Sequence, residues 1–487
     1  MWGKYVFMKA HANNGQDTKN KQKIIGWTLL MLFSILLLSI VPFFRFLNND
    51  GWPTGDETYY HMKMGEDLLD NIISERSLNS LNLFDPFHIV IGLSGKIVGI
   101  KNTALFLPLI FGLITIALIF NILSIIFQSP KQRLLAAIFI ATSPIFLTTF
   151  SQMITITWIS LIMSSGIYFF IRHDKYQWLA FIILPLLYFY NILHIIITIL
   201  VIIFIGHKLN KKNQSTILCG ILSILLLISL ISKDILFHIR LLNILEIIEI
   251  MFADVGGQLG FSLFGIILAI VGIQYLWREK KIKIFSASMF IFLTIITIFS
   301  SQVYAIYLNI FISITAAIGF LKLTKREWRI ISLRNITLFL LILGVVYSGT
   351  AIVAKNATAM PDSETMYALT WLEQKSEPDS IILSQQIYSN IIQEATKRRV
   401  ITNDKKLPKI SNDIEKLYQT RRIDVAVSLI EKYDIDYIVI FEEMKRGLVW
   451  NKENQGLLFL LESRENFKKV FENNKVTVWE IKKGKEK

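Results

Sequence analysis

The sequence predicts a polytopic α-helical membrane protein of about eleven transmembrane helices, followed by a C-terminal α/β domain. Three observations predict it. Apolar residues make up 53% of the 487-residue chain and charged residues only 18%. Hydrophobic runs repeatedly reach the ~18–20 residues that cross a bilayer. After Ala354 the composition turns abruptly to mixed charge with short amphipathic segments.

The elements follow in order. Residues 1–23 carry Lys4, Lys9, Lys19, Lys21 and Lys23, which hold this tail in the cytoplasm. The apolar block from Ile24 to Phe46 is too long for a cleavable signal peptide, lacks a small-residue cleavage site, and reads as the first span. Its exit puts a long loop, residues 48–102, outside. Within that loop Phe87–Gly99 is short, holds Gly92, Gly95 and Lys96, and suits a re-entrant segment. Asp85-Pro86, followed by His88, reads as the turn before it.

Further spans fall at about 104–127, 134–152, 155–171, 178–189, 191–206, 215–232, 260–277, 284–299, 302–321 and 336–353. Reading 178–206 as a hairpin that turns at Tyr190-Asn191 keeps Lys208, Lys211 and Lys212 inside. With that parity every internal loop is basic, from Lys131/Arg133 and Arg172/Lys175 to the 278–283 and 322–334 clusters. The net charge of +14 is therefore a topological signal and needs no nucleic-acid partner. Cys219 is the only cysteine, so an internal disulfide is excluded. A second external loop, 233–258, holds Glu246, Glu249 and Asp254. The expected setting is the cell membrane, with the N-terminus cytoplasmic and the C-terminal domain external.

Residues 354–487 alternate helix and strand patterns. SIILS (380–384), RVIT (399–402), DYIVIF (436–441) and KVTVWEI (475–481) read as strands, with helices near 363–375, 386–396, 412–419 and 422–433. This order predicts a mainly parallel sheet. The segment has no glycine-rich phosphate loop, metal-ligand cluster or nucleophile–base pair, which suits a recognition or lid role. Asn356-Ala357-Thr358 is a permissive glycosylation sequon on the outer face.

The chemistry concentrates in Gly55-Asp56-Glu57-Thr58-Tyr59-Tyr60-His61, directly after the first span. Ionisable groups beside a membrane are costly to dehydrate and by default mark a site. A partly desolvated carboxylate has a tuned pKa and can take a proton from an acceptor hydroxyl or amide. On a helix, Glu57 and His61 are four residues apart and share a face. Plainer roles compete: Asp56 as a helix N-cap, Glu57 as a first-turn acid, and the tyrosines as an interfacial belt. Arg240 suits a lipid phosphate or a snorkelling position. Asp254 beside Gly256-Gly257 suits a second acid or a turn. His194 reads as a satisfied intramembrane polar residue.

Three passages resemble the GT-C superfamily of membrane glycosyltransferases, and within it the oligosaccharyltransferase catalytic subunit with its archaeal and bacterial relatives. GDETYYHMKMGEDLLD (55–70) is similar to the first-loop motif, in which an Asp precedes an aromatic-rich helix. ALFLPLIFGLITIALIF (104–120) and LLAAIFIATSPIFLTTFSQ (134–152) resemble the second and third spans. MYALTWLEQKSEPDSIILS (366–384) resembles the start of the external domain.

The resemblance implies sugar or glycan transfer from a polyprenyl-phosphate-linked donor to a protein or glycan acceptor. It implies Asp56 as general base or metal ligand, supported by Glu57 and His61; Arg240, read from its own charge among apolar residues on the outer side, is the candidate for the donor phosphate. A divalent metal (Mg or Mn) is implied at Asp56 with Asp254. Two departures stand out. Gln385-Gln386-Ile387-Tyr388 replaces the sequon-binding WWDYG motif, and the second-loop segment from Ser151 to Trp158 has no acid. These departures motivate an alternative: a catalytically silent GT-C-like scaffold or accessory subunit of an envelope glycosylation complex. A transporter ranks last, because neither an internal repeat nor a chain of intramembrane charges is visible.

Overall fold

The computed structural model describes residues 2–48, 50–73, 85–172, 174–232, 260–276, 294, 304–403, 408–452, 454–462 and 466–482. The described residues group into two compact units. One lies within Met1–Phe44, Phe84–Phe87 and Leu105–Ala357; the other lies within Arg45–Leu83, His88–Ala104 and Thr358–Lys487.

Five described helices are long and apolar enough to cross a membrane: Ile24–Leu47, Ile100–Ile125, Lys212–Ile231, Ala305–Lys325 and Ile331–Ala357. The chain is a multi-pass membrane protein. The expected span 134–152 is a pair of helices, Pro130–Ala141 and Pro144–Ser151, bent by 63°. Sequence explains the bend. Pro144 sits in the first turn of the second helix, where its missing N–H costs nothing, and Ser143 caps that helix by accepting from the Phe146 N–H. Asn309 Nδ2 donates to the same Ser143 hydroxyl at 2.7 Å and fixes the corner.

The expected break at Tyr190-Asn191 is present. Asn191 leaves the helical conformation, accepts from the Leu193 N–H at 3.0 Å and starts the helix Ile192–Lys208. The preceding stretch, Gln177–Phe189, is largely 3-10 rather than a regular span. Phe87–Gly99 forms a helix, Pro86–Val98, whose first turn is capped by Asp85 at 2.9 Å from the Phe87 N–H. The expected span 284–299 lies outside the described residues, apart from position 294.

Helices Leu263–Leu276 and Ala305–Lys325 approach backbone to backbone. A Cβ on Gly272 would collide with the Thr315 carbonyl oxygen, and one on Gly319 with that of Leu268. Helix association in lipid has no hydrophobic drive and depends on such close packing at small residues.

In the second unit the described strands are β1 (Ile381–Leu383), β2 (Arg399–Ile401), β3 (Tyr437–Phe441), β4 (Phe467–Glu472) and β5 (Val476–Ile481). Their spatial order is β2-β1-β3-β5-β4. β1 pairs parallel with β2 and β3, whereas β5 pairs antiparallel with β3 and β4. The sheet is therefore mixed, not mainly parallel. The reason is the β4–β5 hairpin: the Asn473 side chain accepts from the N–H groups of Lys475 and Val476, making an Asx turn too short for a parallel crossover. β4 escaped the sequence reading because Lys468 and Lys469 interrupt its alternation, as suits an edge strand.

Gly319→Val is expected to destabilise the detergent-solubilised protein by about 1–3 kcal/mol or more, through overpacking. Gly220→Ala, whose added Cβ meets nothing within 4 Å, is the control. Equal melting temperatures for the two variants would refute the close helix contact.

Candidate functional site

Gly55 takes φ +86°, a left-handed conformation open to glycine, and turns the chain into the first-loop helix Asp56–Ile73. Thr58 donates to the Thr54 carbonyl at 2.7 Å and Tyr59 to that of Pro53 at 3.0 Å, so the turn is pinned from within the helix.

Asp56 does not cap its own helix. Its carboxylate accepts from the backbone N–H groups of Asn390 (2.9 Å) and Ile391 (3.1 Å), and from Asn390 Nδ2. These groups lie in the first turn of the helix Ser389–Thr396, so Asp56 satisfies donors that this helix leaves open. Burial pushes the Asp56 pKa up to about 6, and the donated hydrogen bonds oppose the rise only in part.

Glu57 and His61 meet as the helical spacing predicts. Glu57 Oε1 lies 3.4 Å from His61 Nε2; the Glu57 side chain is 52% exposed and that of His61 3%. On the other edge of the ring, His61 Nδ1 lies 2.8 Å from His88 Nε2. The Tyr60 ring meets both imidazoles edge-on. His88 was legible only as a residue near a turn, since no spacing relates positions 61 and 88. The pair exists because the helix Pro86–Val98 packs against the first-loop helix, with Gly65 close against Ile91.

Other charges brace the same unit. Buried Arg45 donates to the carbonyls of Trp52 (3.0 Å), Ala359 (2.6 Å) and Pro361 (2.5 Å). Asp50 accepts from the Ser363 N–H at 2.7 Å and from its hydroxyl. Lys397 bridges Glu66 at 3.2 Å and Glu394 at 2.6 Å.

Of the residues singled out from sequence, Asp56, Glu57 and His61 lie within the first two turns of one helix. Arg240 and Asp254, with Glu246 and Glu249, lie outside the described residues. His194 is buried in the first unit, with Nδ1 2.7 Å from the Tyr307 hydroxyl, a satisfied polar pair within the membrane. Asn356 of the sequon is also buried and donates to Ser151 Oγ at 3.1 Å, a poor position for a glycan acceptor. Among the described residues, no group of three or more His, Cys, Asp or Glu is placed to hold a metal ion. Both Asp56 oxygens accept from protein donors.

The fold is similar to that of solved oligosaccharyltransferase and ArnT structures. Among solved structures, the chain is similar to the oligosaccharyltransferase of Archaeoglobus fulgidus in the apo form, with TM-score 0.59 and 14% identity over 94% of this chain and 75% of that one. It is similar to the archaeal oligosaccharyltransferase AglB from the same organism in complex with an inhibitory peptide and a dolichol-phosphate, with TM-score 0.58 and 13% identity over 91% and 72%. It is also similar to ArnT from Cupriavidus metallidurans bound to undecaprenyl phosphate, with TM-score 0.52 and 10% identity over 93% and 98%. At these identities the likeness is one of fold. Neither a protein-family model nor a curated protein matches the sequence.

The raised pKa of Asp56 gives a test with a definite sign. The folded state keeps a proton that the unfolded chain releases near pH ~4, so this group stabilises the fold most at low pH and less as pH rises through about 6. The melting temperature of wild type relative to Asp56→Asn is expected to fall between pH 4.5 and 7.5. A difference that stays flat or grows with pH would show that burial does not control this carboxylate.

Proposed function

We propose that the protein is a membrane glycosyltransferase that moves a sugar or glycan from a polyprenyl-phosphate-linked donor to a protein or glycan acceptor on the outer face of the membrane. The observation that carries this reading is the Asp56-Glu57-His61 cluster at the start of the first-loop helix of a GT-C fold. The neighbouring structures that hold dolichol-phosphate or undecaprenyl phosphate support a lipid-linked donor. So does an apolar cavity of about 240 Å³ in the first unit, lined by Ile119, Leu123, Phe146, Met163, Ile197 and Ile310, which suits an isoprenoid chain.

The proposed topology has eleven spans in the cell membrane, with the N-terminus cytoplasmic. Residues 1–23 are the inner tail, 24–353 the transmembrane domain with its loop 48–102, and 354–487 the external α/β domain. Transfer requires the acceptor to lose a proton as its oxygen or nitrogen bonds to the anomeric carbon and the bond to the phosphate oxygen breaks. Glu57, half exposed and oriented by His61, takes that proton. Asp56 holds the helix that presents it. Arg240 is assigned to the donor phosphate. A divalent metal, Mg or Mn, held by Asp56 with Asp254 would require Asp56 to release its backbone donors, and chelation tests that assignment directly.

The silent-scaffold reading has one observation of its own: Asp56 is fully employed as the cap of another helix. An assay separates the two. Purified protein in nanodiscs is given undecaprenyl- or dolichyl-phosphate-linked sugars with peptide and glycan acceptors. Transfer is expected for wild type, with a loss of roughly 10²–10⁴-fold for Glu57→Gln and a smaller loss for Asp56→Asn. Absence of transfer by wild type across the donor panel would favour the scaffold.

A further inference from the structure

The bent pair Pro130–Ala141 and Pro144–Ser151 interrupts the backbone ladder inside the first unit, and a membrane segment must satisfy whatever groups such a break sets free. In a continuous helix the Phe139 carbonyl would accept from the Ser143 N–H. At the corner that N–H turns to the Ile140 carbonyl instead, at 3.2 Å. Pro144, the next residue, has no N–H to offer. Ile140 is answered a second time, by the Ser143 hydroxyl at 2.7 Å. Phe139 is left with two long hydroxyl contacts, both at 3.4 Å, from Thr142 and Ser313. The Thr142 hydrogen is already given to the Ile138 carbonyl at 2.9 Å, so only Ser313 is left for Phe139, at the outer edge of hydrogen-bond distance.

The same corner borders a cavity of about 20 Å³, whose lining includes Phe139, Ser143, Ser262, Asn309, Ser313 and Val345. The four polar side chains are buried, none more than 8% exposed. Asn309 donates through Nδ2 to Ser143 Oγ at 2.7 Å, and among the described residues nothing donates to its side-chain oxygen. A buried amide acceptor and an under-satisfied backbone carbonyl thus belong to residues around one small space. A void needs roughly 10–15 Å³ to hold a water molecule, and the water needs about two to four polar partners. Both conditions are met.

We propose that this cavity is a binding site for one water molecule, which donates to the Phe139 carbonyl and to Asn309 Oδ1 and accepts from the Ser313 hydroxyl. The inventory of donors and acceptors selects water over a cation. Ser143 Oγ is saturated, because it donates to Ile140 and accepts from Asn309 and from the Phe146 N–H at 3.3 Å. Ser262 Oγ already meets Ser348 Oγ at 2.9 Å and the Gly265 N–H at 3.2 Å. Asn309, Ser313 and the Phe139 carbonyl remain, well short of the ~6 oxygens that a hard cation takes. No carboxylate is among the described residues that line the cavity, so a charge at this depth would go unbalanced. An apolar guest is excluded as well, since it would leave the two carbonyl oxygens unpaired.

The water gives the bend a fixed form. It joins the break to Asn309 and Ser313, which lie one turn apart on the helix Ala305–Lys325. Together with the direct Asn309–Ser143 bond, it holds the corner against that helix. The direction of Pro144–Ser151 follows, and with it the place of Ser151, whose hydroxyl accepts from Asn356 at 3.1 Å.

The test begins with a map of the full-length protein in nanodiscs, by electron cryomicroscopy at a resolution that shows ordered water. One peak is expected within hydrogen-bond distance of the Phe139 carbonyl, Asn309 Oδ1 and Ser313 Oγ. A well-defined cavity without density would overturn the proposal. Val345→Ile gives a second readout, because it adds one methyl group beside the cavity. Filling a dry void raises stability, whereas displacing a bonded water leaves its partners unpaired. The melting temperature of the solubilised variant is expected to fall by a few degrees, and a rise would mean that the cavity is dry. A third comparison separates water from an ion. Wild-type melting temperatures should agree in sodium, potassium and choline chloride at matched ionic strength. Stabilisation by one cation alone, lost in Val345→Ile, would put an ion at the site and refute the assignment. None of these readouts depends on sugar transfer.

Discussion

The Asp56 carboxylate holds the second unit together, because it serves two elements that are 334 positions apart in sequence. It opens the first-loop helix and at the same time answers the open N–H groups of Ser389–Thr396. A carboxylate at a helix N-terminus is favoured by both the dipole and the hydrogen bonds, and here the favour acts between segments. The positions of Glu57, one residue on, and His61, one turn on, follow from it. The same burial that raises its pKa gives the contact its cost, and three donors offset part of that cost.

Arg45 applies the same logic with the opposite charge. A buried guanidinium presents fixed, forked donors, and Arg45 directs them at three backbone carbonyls around the chain segments that flank the helix Ile331–Ala357 and the first loop. Asp50 fixes Ser363 in the same region. The loop residues 50–68 are therefore structured by Arg45 just before them and by residues more than 300 positions later, which explains why a loop without a strong local pattern adopts a defined helix–turn arrangement.

Lys211 shows a related device in the first unit. It was read as one of several internal basic residues, yet it is buried, and its ammonium donates to the carbonyls of Phe170, Ile171 and Arg172 at the end of the helix Thr155–Ile171. A cation at a helix C-terminus satisfies carbonyls that have no intrahelical partner. A residue that the sequence offers as a topological charge thus serves as a helix cap. Elsewhere in this unit, Gly272 and Gly319 give up side chains to let two backbones touch, and Ser143 with Pro144 makes the corner of a bent pair.

Much of this was legible in the sequence. Apolar runs located the long helices because backbone groups in lipid must bond within the segment, so run length maps onto helix length. The Asn191 break was read from charge parity and the helix Ser363–Lys375 from its residue pattern, and each is capped locally, by Asn191 and by Asp362. The four-residue spacing of Glu57 and His61 determined their contact once that stretch was helical. Local patterns fell short where the deciding partner was distant. The antiparallel β4–β5 pair depended on an Asn turn and a charged edge strand, the role of Asp56 on Asn390 and Ile391, and the second partner of His61 on His88. The sequence by itself determined that the stretch after Gly55 is helical and that Glu57 and His61 meet on it, because both depend on neighbours within a few positions. Only the tertiary structure decided that Asp56 binds another helix and that His61 has an imidazole behind it, because those contacts close over hundreds or tens of residues and leave no local signature.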